Sequence, residues 1–223
     1  ELLIDAGKVK LLGQAITRLG YQAVPGAENY QFVKPGPGGG KAGSIKIDIL
    51  TGPRTRFDGT TVRADARRAR PNPSVGIHAH PVDETPTLEE GLLQEILTGN
   101  LSSGRPWQAE VYLPHPYTFA MMKLFAFRDR LEDADKEYGR YHALDLYAIM
   151  ATTTESEWRE ALAMHKRHAE DSYVKEAGKI VATYFAGLDS LGMIRMRESR
   201  YYRPQLQLAD FMSTMNELFP CMD

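Results

Sequence analysis

Apolar and polar positions follow two different rhythms along this chain. Up to about residue 113 the apolar residues fall in short runs that often alternate with polar ones, broken by glycine and proline. Alternation of that kind marks half-buried strands, and Gly/Pro pairs mark the turns between them. Leu2–Ile4 reads as the end of a strand. Lys8–Leu19 carries Val9, Leu11, Leu12, Ala15, Ile16 and Leu19 at helical spacing and closes on Gly20. Tyr21–Val24 and Tyr30–Lys34 predict two short strands around the turn Pro25-Gly26, with Pro35–Gly40 as a hairpin tip or flexible loop. Ser44–Thr51 is the clearest strand: Ile45, Ile47 and Ile49 share one face, and Lys46, Asp48 and Leu50 the other. Ser74–Ala79 and Ala109–Leu113 predict further strands, and Thr87–Leu97 a helix between them.

From Pro114 the period lengthens to that of a helix. Helices are predicted over Thr118–Leu131, Gly139–Thr152, Glu155–Glu170, Ser172–Phe185 and Leu206–Leu218, with Pro116 at a helix start and Thr153 or Thr154 as a cap. The pattern predicts an α/β fold: a small mixed sheet with flanking helices over residues 1–113, followed by a helical domain over 114–223. The 223 residues and their 43% hydrophobic content suffice for one large core or two small ones. No apolar run approaches the roughly 20 residues that span a bilayer, so no membrane role is predicted. The single cysteine, Cys221, cannot form an internal disulfide, and the first residues lack the pattern of a secretory leader; both fit a cytoplasmic protein. The chain opens on Glu1 directly before Leu2-Leu3-Ile4, which suggests a strand that continues upstream.

Charge is uneven. Residues 1–75 hold twelve Lys/Arg against six Asp/Glu, and the remaining 148 hold fifteen against twenty-three, so a net charge of −2 divides into +6 and −8. The basic part suits a polyanion such as a triphosphate or nucleic acid. Two stretches carry most of the candidate contacts: Arg54–Arg70 with six arginines, and Arg195–Arg203, where arginine interleaves with tyrosine. Surface packing accounts for the second stretch equally well. His78 and His80 lie two apart on one predicted strand, and His165 and His168 one turn apart on a helix. Neither pair has a third metal ligand at a recognisable spacing, so both are expected on solvated faces.

Asp48 is the leading chemical candidate. Nucleotidyl transfer needs magnesium held by carboxylates, and a hydrophobic–acid–hydrophobic strand such as Ile47-Asp48-Ile49 places an acid rigidly on a sheet face. An exposed ion pair with Lys46 would leave the same sequence pattern. On the later helices, His142 and Asp145 lie three apart and face the same way, so Asp145 is placed to orient His142 or a lysine on a neighbouring helix. Salt bridges between two adjacent helices would again produce the same spacing.

The order acid-bearing strand, helix, then Ile47-Asp48-Ile49 resembles the core of the polymerase-β-like nucleotidyltransferases. Residues Leu113–Met150 (LPHPYTFAMMKLFAFRDRLEDADKEYGRYHALDLYAIM) resemble a passage of the AbiEii-type branch, the toxin halves of some bacterial toxin–antitoxin and phage-defence pairs. In that resemblance Lys123 matches a helical lysine, Arg128 and Arg130 a basic cluster, and Lys136, His142 and Asp145 a later Lys…His-x-x-Asp run. Glu1 matches the second acid of an acid–hydrophobic–acid motif whose first member would lie upstream.

The resemblance implies a small mixed-sheet nucleotidyltransferase core followed by a helical domain. It also implies transfer of a nucleoside monophosphate from a nucleoside triphosphate to an acceptor hydroxyl, with Mg2+ or Mn2+ as cofactor. Glu1 and Asp48 would hold the metal, and Lys123, Arg128, Lys136 and His142 would bind substrate. Asp145 would support Lys123. The implied partners are the triphosphate, tRNA or another RNA as acceptor, and a cognate antitoxin. A catalytically silent module of the same fold, binding a partner protein or nucleic acid, and an enzyme acting on a small-molecule acceptor are the alternatives.

Overall fold

The computed structural model describes residues 6–36, 43–74 and 76–221. Glu1, the predicted strand at Leu2–Ile4 and most of the Pro35–Gly40 loop lie outside these residues. The fold is mixed α/β, as the periodicity predicts. It divides into two compact units, residues 1–83 and 84–223, so the division falls at Asp83–Glu84 and not at 113/114.

In the first unit helix α1 (Ala6–Arg18) precedes an antiparallel sheet of β1 (Gln22–Ala23), β2 (Gln31–Lys34) and β3 (Ile45–Asp48). Phe32 lies opposite Ile47 and Gln31 opposite Asp48, so the apolar pair shares one face and the polar pair the other. The predicted strand Ser44–Thr51 is interrupted at Ile49. Its continuation β4 (Leu50–Thr51) leaves the sheet and pairs in parallel with β7 (His80–Pro81). Between them β5 (Arg63–Ala64) and β6 (Ala69–Arg70) form a tight hairpin. Among the described residues of the predicted strand Ser74–Ala79, only Ala79 forms a β-bridge, to Ala69. The core gathers Val9, Ile16, Phe32, Phe57, Val62 and Ile77, with Ile49 packed against it.

The second unit opens with a correction. The segment predicted as the helix Thr87–Leu97 is a loop followed by β8 (Leu93–Asn100), which pairs with β9 (Pro106–Leu113) over all eight of its residues. Leu88, Leu92, Ile96 and Leu97 have helical spacing, but the long-range ladder to β9 wins over that local signal. Helices α2 (Pro116–Asp129), α3 (Arg140–Thr152), α4 (Glu155–Arg167), α5 (Ser172–Tyr184) and α7 (Leu208–Leu218) stand within about three residues of their predicted ends. A short helix α6 (Leu191–Arg197) occupies part of the stretch read as an interleaved basic surface.

Local chemistry fixes the starts of these helices. Thr154 and Glu157 form a reciprocal capping box on α4, and Asp171 accepts the Tyr173 N–H at 2.8 Å at the start of α5. Tyr117, Leu124, Phe127, Leu146, Phe185 and Met215 are fully buried in one continuous core. Among the described residues no helix is long and apolar enough to cross a membrane.

Candidate functional site

Asp48 ends β3 with its carboxylate at the surface. Its described ionic partner is Lys46, two residues back on the same face, at 3.6 Å. Strand alternation makes that contact possible, because residues i and i+2 share a side of the sheet. Both side chains are close to half exposed, so the pair is weak and a competing cation or phosphate could displace it.

In the second unit three of the predicted residues come together. Lys123 on α2 donates to the Asp145 carboxylate on α3 at 2.6 Å. His142, one turn before Asp145, shares this environment. Burial pushes its pKa down, the Lys123 charge adds to that, and Asp145 opposes it. Its Nδ1 is buried without a hydrogen-bond partner among the described residues. The cluster is therefore a partly exposed cation held by a carboxylate, beside an imidazole whose pKa burial lowers.

The remaining predicted residues lie elsewhere. Arg128 stacks over the Phe125 ring at 4.7 Å and pairs with Asp129 at 2.9 Å and Glu176 at 3.2 Å. Arg130 pairs with Asp133 at 3.6 Å, the local ion pair that its spacing suggests. The Lys136 side chain and Glu1 lie outside the described residues.

Two expectations about histidines are corrected. His78 and His80 do not share an exposed strand face: His78 is buried and its Nε2 lies 3.2 Å from the Ser74 hydroxyl. His80 stacks on Tyr30, and its Nδ1 donates to the Arg67 carbonyl at 3.0 Å. Nor do His165 and His168 lie on a solvated face. His165 packs edge-on against Tyr117 and Phe219, and His168 bonds Glu90 at 2.6 Å, beside the Arg167–Glu90 pair.

Sequence reasoning also missed a buried polar cluster at the start of α2. His115 has no exposed surface, and its Nδ1 accepts the Tyr117 N–H at 3.1 Å, capping the helix. Nearby, the Thr87 and Thr118 hydroxyls bond at 2.8 Å. The Tyr117 hydroxyl, whose pKa is raised by burial, lies 3.4 Å from His165 Nδ1. The dipeptide His115-Pro116 was the available signal, since a side-chain acceptor before proline at the first helical position marks a cap.

A groove of about 200 Å³ between α3 and α7 is lined by Tyr147, Met150, Phe211 and Asp210 among others, and contains none of the predicted residues. Among the described residues no group of three or more His, Cys, Asp or Glu side chains is arranged to hold a metal. The exposed Asp48 carboxylate suits one ligand of a magnesium ion that also binds substrate phosphates. The described residues do not complete such a set.

No family model, curated protein or solved structure gives a significant match to this chain.

Proposed function

We propose that this chain is a nucleotidyltransferase that moves a nucleoside monophosphate from a nucleoside triphosphate to an acceptor hydroxyl, with tRNA or another RNA as acceptor. In this reading it acts as the toxin or defence component of a pair with an antitoxin. The observation that carries the proposal is the 2.6 Å pair between Lys123 and Asp145 beside His142. It joins three residues singled out by the AbiEii-like passage into one cluster, in which Lys123 and Asp145 are partly exposed.

Lys123 is a compact cation suited to a phosphate oxygen, and Asp145 limits the rotamers it can adopt. Arg128 reaches phosphate by exchanging its carboxylate partners Asp129 and Glu176. His142, whose pKa burial lowers, offers a hydrogen bond to substrate in this reading. The acceptor oxygen attacks the α-phosphorus, the bond to the β-bridging oxygen breaks and pyrophosphate leaves. The hydroxyl proton passes to the Asp48 carboxylate. Magnesium or manganese would be held by Asp48 and Glu1 and would offset the negative charge of the phosphates.

The test is incorporation of label from α-labelled nucleoside triphosphates into RNA by the full chain, with either metal. Wild-type protein is expected to incorporate label, with Asp48→Asn and Lys123→Ala reduced about a hundredfold or more, in line with the loss of a positioned base or charge. A folded Asp48→Asn protein that incorporates label at the wild-type rate overturns the assignment. The Lys46–Asp48 pair favours a second reading, in which Asp48 is a surface ion-pair residue of a silent binding module. Absence of label from RNA and from small hydroxyl acceptors alike, with wild-type protein, would select it.

A further inference from the structure

The two basic stretches of the chain differ in how their arginines are employed. In the later stretch every arginine has an internal partner. Arg195 pairs with Glu198 at 2.8 Å, Arg197 donates to the Leu188 carbonyl at 2.8 Å, Arg200 lies over the Tyr201 ring at 4.7 Å, and Arg203 donates to the Tyr202 carbonyl at 2.9 Å. Such side chains hold the fold and offer little to a ligand.

The earlier stretch behaves differently. Arg54 is taken up by Asp83, through Nη2 at 2.6 Å and Nε at 2.7 Å. Beyond it, Arg63, Arg67 and Arg68 have no carboxylate within 4.0 Å among the described residues, and Arg70 only reaches Asp65 at 4.0 Å.

The hairpin β5–β6 also sets these charges against each other. Arg63 lies directly opposite Arg70 in the ladder, an arrangement that destabilises a strand pair when nothing neutralises it. The one acid in the turn is committed elsewhere: Asp65 Oδ1 accepts the backbone N–H groups of Arg67 at 2.9 Å and Arg68 at 3.0 Å. Arg68 and Arg70 also lie close enough to His78 to add to the burial that lowers its pKa, with Asp65 acting in the opposite direction.

The hairpin is also firmly mounted. Ala69 and Ala79 exchange backbone hydrogen bonds of 2.8 and 2.9 Å, Val62 and Ala69 enter the core, and His80 holds the Arg67 carbonyl. Three guanidinium groups without a close carboxylate, those of Arg63, Arg67 and Arg68, on a backbone held in place suit an external anion and exceed what one phosphate can use.

The neighbouring surface narrows the kind of anion. His80 stacks on the half-buried Tyr30 ring with centroids 5.7 Å apart. The backbones of these two residues bond Ile49, the residue after Asp48, from either side: Ile49 N–H to Tyr30 O and His80 N–H to Ile49 O, both 2.8 Å. Cations beside an aromatic platform are what single-stranded nucleic acid requires, phosphates on the first and an unpaired base on the second. We propose that the β5–β6 hairpin grips the phosphate backbone of single-stranded nucleic acid, with the Tyr30–His80 stack offering a ring to an unpaired base. The proposal stands whether or not Asp48 supports nucleotidyl transfer, since it concerns binding alone.

Fluorescence anisotropy of a short labelled single-stranded RNA, titrated with the full chain over a range of salt concentrations, tests it. Replacing Arg63, Arg67 and Arg68 together by glutamine should weaken binding at least about tenfold. It should also make the log–log salt dependence shallower by about 2, at about 0.7 per lost phosphate contact. Arg203→Gln, from the internally engaged stretch, should change neither. If circular dichroism shows that the triple variant is unfolded, Arg67→Gln alone replaces it, with an expected change in slope of about 0.7.

A folded variant that binds with wild-type affinity and slope overturns the proposal. So does competition by a free nucleoside triphosphate at the affinity of the RNA, which would indicate a nucleotide pocket. Competition by polyglutamate as strong as that by RNA overturns it too, by pointing to an acidic protein partner.

Discussion

His115 caps α2 only while its Nδ1 carries a lone pair, because that atom faces the Tyr117 N–H. Protonation would place two donors against each other in a site with no exposed surface. Burial lowers the pKa of His115, and it does the same for His78, His142 and His165. Each of these groups binds its proton more readily in the unfolded chain, whose histidines titrate near about 6.5. Stability is therefore full above that pH and declines as pH falls from there toward the lower folded-state values, by at most about 1.4 kcal/mol per pH unit for each proton taken up. Urea unfolding midpoints measured from neutral to mildly acidic pH should fall steadily. His115→Asn keeps a side-chain acceptor at the cap without a titrating ring, so its midpoint should depend less on pH than that of the wild type. An identical slope in the two proteins would show that His115 carries none of the effect.

Close packing between elements depends on small residues at defined points. Gly192 on α6 is buried, and a Cβ there would lie 2.6 Å from the Tyr184 carbonyl oxygen and against the Phe185 ring. The carbonyl belongs to the end of α5 and cannot move as a side-chain tip can. Gly192→Ala should therefore destabilise the second unit by about 1–3 kcal/mol, despite alanine's better helix propensity. Thermal unfolding followed by far-ultraviolet circular dichroism would show the loss, and a raised melting temperature would contradict it. The same local-versus-distant contrast decides which elements were legible in the sequence. Helices α2 to α5 were, because their periodic runs carry local stops and starts such as Pro116, the Thr154–Glu157 box and Asp171. Strand β8 was not: its helical spacing is local, while its ladder partner β9 lies beyond the Leu101–Arg105 turn. The candidate site divides in the same way. Helical spacing put His142 and Asp145 on one face, and the resemblance of residues 113–150 to the AbiEii-type passage singled out Lys123 as their neighbour. The burial of His165 depends on Tyr117 and Phe219, each about 50 residues away, and no local pattern announces it.

On the scale of the whole molecule, the two units at Asp83–Glu84 each have a core of their own. The first rests on Val9, Ile16, Phe32 and Phe57, the second on a larger set that includes Leu124, Leu146 and Met215. Of the candidate residues, Asp48 lies in the first unit and Lys123 and Asp145 in the second, so damage to either core can be read against the residues it carries. Separate cores also mean that damage to one should register in that unit. Leu146 is fully buried, and Leu146→Ala removes its contacts in the second core at a cost of about 2–5 kcal/mol. Hydrogen exchange measured by mass spectrometry would read the two units separately. Loss of protection should appear in peptides of α2, α3 and α7, while peptides of β2 and β3 keep wild-type protection. Binding of single-stranded RNA by the β5–β6 hairpin should survive the same substitution, whereas nucleotide incorporation should fall. If protection is lost equally in β2 and β3, the chain unfolds as one cooperative body, and the independence of the two cores is wrong.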